Sequence, residues 1–140
     1  MGGDEWAGTG PYRPNLTEAL RRAQEQELAR DDRGFPGRHI ADLWGDGDWR
    51  EFILTGGTGT VLDFYALLDP RADDDFAMVR PLTDSEVRRW APDGRPTRAQ
   101  WEAALGTTSL PYPDRGIGHC TVLYQDGEPA HVGYWGRTAD

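Results

Sequence analysis

The sequence contains no lysine and only one cysteine, Cys120. All fifteen of its basic residues are arginines. Without lysine the chain has no P-loop lysine, no Schiff-base chemistry and no lysine general base. One cysteine cannot form an internal disulfide, so we expect a reducing compartment, with the cytoplasm as the default location.

Serines and long apolar runs are also scarce. The two serines, Ser85 and Ser109, lie outside any G-x-S-x-G setting, which argues against a serine hydrolase. No apolar run approaches the roughly 18 residues of a membrane span, and the first ten residues lack the basic and apolar regions of a signal peptide. We therefore expect no membrane partner.

Negative charge is abundant and unevenly distributed. The net charge is −9, and residues 39–76 alone carry two arginines against nine acidic residues. This balance argues against binding nucleic acid, because affinity for phosphates comes from clustered cations. It favours a protein partner with a basic surface, although the same charge could serve only to keep the protein solvated. The predicted partner-binding residues are Asp42, Asp46, Asp48, Asp73, Asp74 and Asp75.

Three capping patterns predict helices. Asn15 and Glu18 predict an N-terminal helix over residues 16–31, after an extended arm over 1–14. The runs "TDSE" and "TRAQ", with Thr83 and Thr97 as N-caps, predict two short central helices over 84–91 and 98–105. This helix pair also suggests a DNA-binding regulator acting through residues 84–105. It is only the third hypothesis, because four acidic residues in this segment nearly cancel the charge of its arginines.

Extended patterns predict the strands. Residues 51–68, around "TGGTGT", and residues 117–135, around "DGEP", are each typical of a β-hairpin, and residues 76–80 of a short strand. The sequence thus predicts a single α+β domain over 1–140, with an antiparallel sheet covered on one face by the helices.

Cys120 and His131 are the candidate catalytic pair. Strand alternation over an even-length hairpin loop predicts that both lie on one face of the sheet, whereas His119 lies on the other. Asp63 is predicted on the exposed or cleft-lining face of its strand, beside Tyr65. A thiol beside an imidazole becomes a nucleophile only if its pKa is lowered and a third group orients the base.

No cofactor or metal site is predicted. The acids around "ADLWGDGDWRE" do not match the spacing of a calcium loop, and no C-x-x-C or H-x-x-x-H spacing occurs. The leading hypothesis is a small acidic, non-catalytic protein-binding module, such as an inhibitor, an immunity-type protein or an accessory protein. The alternative is a small enzyme or ligand-binding protein whose cleft is lined by Cys120, His131 and Asp63.

Overall fold

A computed structural model describes residues 3–140, which form one α+β domain with a five-stranded sheet. The predicted fold class is confirmed. The strands are β1 (Glu5–Pro11), β2 (Ala66–Leu67), β3 (Met78–Pro81), β4 (Gly118–Gln125) and β5 (Glu128–Arg137). The helices are α1 (Leu16–Arg30), α2 (Ile40–Leu43), α3 (Gly47–Thr55), α4 (Asp84–Arg88) and α5 (Arg98–Ala104), with a 3-10 turn over Val61–Asp63.

The sheet is mixed, in the order β1-β5-β4-β3-β2. The predicted hairpin over 117–135 is confirmed as β4 and β5, and β1 adds antiparallel to β5, so the N-terminal arm is a strand of the sheet. The strands β2, β3 and β4 run parallel, which differs from the antiparallel sheet that we predicted. The reason is the long connection through α4 and α5, which carries the chain back to start β4 in the direction of β3.

The N-terminal helix covers one face of the sheet. The Asn15 side chain accepts hydrogen bonds from the backbone N–H groups of Thr17 and Glu18, which confirms the predicted start of α1. The buried face of α1 packs on a core that includes Val79, Cys120, Val132 and Tyr134. We predicted that the helices cover only one face of the sheet, and this is wrong. On the opposite face, Trp101 of α5 packs against Leu123 and Trp135.

The predicted hairpin over 51–68 is wrong. Residues 47–55 form α3, whose first turn is capped by the Asp46 side chain. The apolar residues Trp49 and Ile53 stand four apart and are buried together, which is helical spacing. The short apolar run fits both the helical period of 3.6 residues and the strand period of two. The capping residue in the preceding "DGD" favours the helix.

The two short central helices begin where the sequence predicts. Thr83 with Glu86, and Thr97 with Gln100, form complete capping boxes. The first of these helices ends at Arg88, three residues before the predicted end. The strand predicted over 76–80 is observed over Met78–Pro81.

Candidate functional site

Arg80 of β3 is the centre of a dense polar cluster. Its side chain is 10% exposed, and its Nε donates to Asp74 Oδ1 at 2.7 Å. Its Nη1 and Nη2 donate to the two carboxylate oxygens of Glu86 at 2.8 and 3.0 Å, and Nη1 also donates to the Pro70 carbonyl at 3.1 Å. Because one guanidinium binds α4 and two points of the loop over 69–76, it ties both to the sheet.

His119 of β4 completes this group. His119 lies beside Arg80 in the parallel pairing of β3 and β4, so both side chains project from the same face of the sheet. Its Nε2 lies 3.0 and 3.1 Å from the two carboxylate oxygens of Asp74, and its ring meets that of Trp135 edge-on at 5.9 Å. Arg80, Asp74, Glu86 and His119 are referred to below as the Arg80 cluster.

The protonation states of the Arg80 cluster follow from its contacts. Hydrogen bonds from Arg80 lower the pKa of Glu86 to about 2, and the same contact raises the pKa of Arg80. Desolvation opposes the ionisation of Asp74, but hydrogen bonds from Arg80 and His119 outweigh it and lower the pKa of Asp74. Burial lowers the pKa of His119, and Asp74 only partly offsets this effect. At neutral pH the cluster is one cation, two carboxylates and a neutral imidazole.

The geometry of the Arg80 cluster is suited to holding structure together. An imidazole paired with a carboxylate acts as a general base only when it also meets a nucleophile or a substrate. The neighbouring Cys120 cannot serve, because successive strand residues point to opposite faces. The cluster therefore anchors the loop over 69–76 and α4 and does not bring a thiol to His119.

Cys120 faces α1 and is sealed in the core. Its side chain is 1% exposed, and its cross-strand neighbour is Tyr134. Burial raises the pKa of the Cys120 thiol to about 12, so the thiolate is not populated near neutral pH. The same desolvation raises the pKa of Tyr134. This environment is that of a small core residue and not of an activated nucleophile.

We expect Cys120 to resist alkylation in the folded protein. Iodoacetamide near neutral pH should leave it unmodified while free cysteine in the same tube reacts, because both the burial and the raised pKa suppress attack by the thiolate. Mass spectrometry of the intact chain measures the adduct. Denaturant should restore full labelling and serves as the control, and rapid labelling without denaturant would contradict the assignment.

His131 does not join Cys120. The register between β4 and β5 shifts just after Leu123, where β5 carries one residue more than β4. Leu123 lies opposite His131, and Cys120, three residues before Leu123, therefore projects from the other face. The prediction that Cys120 and His131 share a face is wrong because this bulge changes the parity of the hairpin. The His131 side chain is exposed.

Asp63 is buried and organises the glycine-rich turn. The prediction of an exposed or cleft-lining carboxylate is wrong, because residues 61–63 form a 3-10 turn and Asp63 is 7% exposed. Its carboxylate accepts hydrogen bonds from Thr58 N and Oγ1 at 2.6 and 2.7 Å and from Gly59 N at 3.0 Å. Burial raises the pKa of Asp63 against the effect of these bonds. Asp63, Cys120 and His131 thus occupy three separate environments.

The six aspartates predicted to bind a partner differ in how they are engaged. Asp46 caps α3 and forms an ion pair with Arg38 at 2.8 Å, and Asp74 belongs to the Arg80 cluster. These two carboxylates have structural roles. Within residues 3–140, the other four are exposed and form no ion pair; they are Asp42, Asp48, Asp73 and Asp75.

Two aromatic side chains in the same part of the chain, Tyr65 and Phe76, are exposed. The exposure of Tyr65 agrees with the predicted exposed face beside Asp63, whereas that of Phe76 was not predicted. Tyr65 is 59% exposed and Phe76 is 45% exposed. The Trp44 ring meets the Tyr65 ring at 5.6 Å, and Tyr65 N donates to Ala77 O at 2.7 Å, which sets Tyr65 beside the residue after Phe76. We define the acidic–aromatic surface as Asp42, Trp44, Asp48, Tyr65, Asp73, Asp75 and Phe76. The available signal was that Trp44 and Phe76 stand directly among acidic residues.

The residue after Phe76 has an unusual backbone conformation. Ala77 has φ of 60°, in the left-handed region that residues other than glycine seldom adopt. Its N–H donates to Gly116 O at 2.7 Å, and the Phe76 ring lies so close to Gly116 that a Cβ there would fall 2.2 Å from it. Strain of this kind persists only where the surroundings fix it. The Phe76 ring is therefore held against Gly116, and part of it stays exposed.

Two of the four arginines in the helix pair suggested for DNA binding are paired with acidic residues. Arg88 pairs with Asp84 at 2.8 Å and Arg98 pairs with Glu102 at 2.7 Å, each along its own helix. These i,i+4 pairs compensate two of the cations that would contact phosphates. The geometry gives the DNA-binding hypothesis no added support.

Two searches of the described residues and three comparisons with known proteins complete the description of the site. Within residues 3–140, no three histidine, cysteine or carboxylate side chains converge as metal ligands, and no helix has the length and apolar character of a membrane span. Comparison of the chain with protein-family models, with curated proteins and with solved structures yields no match. Functional inference therefore rests on the geometry described above.

Proposed function

We propose that the protein is a non-catalytic binding module that holds a protein partner with a basic surface on its acidic–aromatic surface. Tyr65 carries this proposal. Among residues 3–140 it is the most exposed of the large apolar side chains, its ring contacts Trp44, and its backbone is bonded next to Phe76. Tyr65 thus contacts both acidic segments of the surface, residues 42–48 through Trp44 and residues 73–76 through the neighbouring Ala77.

The chemistry of this surface fits a basic protein. Tyrosine and tryptophan contribute much of the binding energy at protein interfaces, and their ring faces attract arginine and lysine. The surrounding carboxylates of Asp42, Asp48, Asp73 and Asp75 add a negative field that steers a basic partner during association. A nucleic acid would be repelled by the same field.

We expect Tyr65→Ala to weaken partner binding by more than tenfold. Truncating a central aromatic residue of an interface commonly costs about 2 kcal/mol or more, which corresponds to roughly a 30-fold loss of affinity. The purified protein, immobilised, would capture candidates from a native lysate at low salt. The captured protein, identified by mass spectrometry and purified, would then be titrated against wild type and variants by calorimetry.

The chain offers a matched control in Leu54, which is 44% exposed and lies near the end of α3. Leu54→Ala removes a comparable exposed apolar group outside the acidic–aromatic surface and should leave affinity within about twofold. The double substitution of Asp42 and Asp48 to Asn should slow association and flatten its salt dependence. The proposal fails if Tyr65→Ala and Leu54→Ala bind alike, or if the captured partner is acidic and its binding is insensitive to salt.

A further inference from the structure

The strand β1 forms an open edge of the sheet, because it pairs only with β5. Two neighbouring residues at the end of β5 show which backbone groups face β1. Thr138 N donates to Asp4 O at 3.0 Å, on the β1 side, whereas the N–H and C=O of Arg137 bond to residues 117 and 116, on the β4 side. Backbone groups alternate in direction along a strand, so Trp6, Gly8 and Gly10 bond to β5. The N–H and C=O groups of the alternate residues point away from the sheet; these residues are Glu5, Ala7 and Thr9.

This edge is accessible. Ala7 is exposed, and a Cβ added to Gly8 would meet nothing within 4 Å. A groove of about 460 Å³ runs along the strand, between residues 6–9 and the C-terminal half of α1. The opposite edge of the sheet is blunted, because β2 is only two residues long and Pro70 follows it closely.

The accessible part of the edge carries no charge. Residues 6–12 read "WAGTGPY", with no charged side chain in a chain that is 28% charged. Proteins commonly protect free edges with charged residues or prolines, and here Glu5 and Pro11 do so only at the two ends. Between them lies a short window in which Ala7 and Thr9 offer unpaired backbone groups without electrostatic repulsion.

We propose that β1 pairs antiparallel with β1 of a second copy of the chain, with Ala7 opposite Ala7 on the two-fold axis. This register places Glu5 opposite Thr9 of the second copy and allows six backbone hydrogen bonds. It also places Trp6 opposite Gly8 of the second copy, where there is open space for the ring.

Neighbouring registers are less favourable. In the register that pairs Ala7 with Thr9 of the second copy, Glu5 lies opposite Pro11, which has no N–H to donate. A shift the other way halves the separation along the strands between the two Glu5 carboxylates, from about 14 Å to about 7 Å. The register centred on Ala7 is therefore favoured mainly by hydrogen bonding, because each Glu5 is paired with Arg137 of its own chain at 3.2 Å and repulsion between the two carboxylates is reduced.

The overall charge distribution is compatible with this dimer. Residues 39–76 hold most of the negative charge, and the acidic–aromatic surface lies at the starts of β2 and β3, toward the opposite edge of the sheet. Repulsion between these segments across the two-fold axis is screened over such distances at physiological salt. The dimer has one continuous ten-stranded sheet and does not depend on the binding function proposed above.

We expect sedimentation velocity to show a concentration-dependent dimer for the wild-type protein and a monomer for Ala7→Pro. Proline removes the outward N–H on the two-fold axis, and a proline is tolerated on an edge strand where that N–H faces solvent. Ala7→Ser keeps the N–H and is the matched control, which should still dimerise. Far-UV circular dichroism checks that both variants are folded.

The register is tested by cross-linking. In the proposed pairing, the Cα atoms of Ala7 and its counterpart lie about 5.5 Å apart, within reach of a disulfide, whereas the Thr9 pair is separated by about 14 Å. Under mild oxidation by oxidised glutathione, Ala7→Cys should form a reducible dimer and Thr9→Cys should not. The native Cys120 is buried and should not contribute. A wild-type protein that stays monomeric at its highest soluble concentration, or equal cross-linking of the two variants, overturns the proposal.

Discussion

Arg80→Met should destabilise the protein by about 2–3 kcal/mol. The substitution keeps an unbranched chain in the core but leaves Asp74 and Glu86 without their cation. Breaking a fully buried ion pair costs about 3–5 kcal/mol. We expect a smaller loss here, because the two carboxylates are about one-third exposed and can be hydrated once the cation is removed. Thermal unfolding should shift down by roughly 8 °C in a chain of this length. Chemical denaturation followed by tryptophan fluorescence measures the free energy of unfolding.

The matched control for this substitution is Arg88→Met. Arg88 forms an ion pair with Asp84, but both side chains are at least half exposed, so its loss should change stability by less than about 0.5 kcal/mol. Equal effects of the two substitutions would contradict the structural role of Arg80.

Acid stability gives a second readout of the same cluster. The pKa of Glu86 is about 2 in the folded protein, against an ordinary value of 4.5, so its contribution to stability is complete above about pH 4.5 and is lost as pH falls toward 2. Arg80→Met should remove this part of the pH dependence, because the pKa of Glu86 is no longer lowered by its cation.

The Arg80 cluster could not be read from the sequence. Asp74 and His119 stand 45 residues apart, and only the parallel pairing of β3 with β4 brings them together. That pairing depends on the path of the chain through α4 and α5, and no local pattern encodes it. The starts of those helices were predictable, because each capping box lies within four consecutive residues.

The failure of the Cys120 and His131 hypothesis has a different physical origin. The hairpin itself was correctly predicted, and its two-residue turn at Asp126 and Gly127 fits the known preference for such turns. A single extra residue in β5 then moved His131 to the other face. Strand alternation has a period of two, so one inserted residue reverses every facing assignment beyond it.

The segment over 47–68 shows a third limit of the sequence. Its apolar residues satisfied the strand pattern that we favoured, yet Trp49 and Ile53 also satisfy a helical one. Whether such a run becomes helix or strand depends on the cap before it and on the partners that cover it. Tyr65, which the strand pattern also placed on the more exposed face, is 59% exposed and contacts Trp44 at the end of α2.

Gly118→Ala should destabilise the protein by about 3 kcal/mol, at the upper end of the range for overpacked cores. A Cβ at position 118 would lie 2.0 Å from Cζ of Phe64 and within 2.7 Å of both Cε atoms. Phe64 is 1% exposed, and the Trp6 ring lies 5.6 Å from its own, so the ring has little room to withdraw. Denaturant unfolding measures the loss, and the slope should stay unchanged if only packing is affected.

Two variants show whether the methyl group and the Phe64 ring truly conflict. Gly8→Ala introduces the same group in a strand with nothing within 4 Å, and at low protein concentration it should change stability by less than about 0.5 kcal/mol. Combining Gly118→Ala with Phe64→Leu should cost less than the sum of the two single substitutions, by about 1 kcal/mol or more, because the smaller side chain leaves room for the methyl group. Additive costs would place the destabilisation in the backbone of β4 and not in its contact with Phe64.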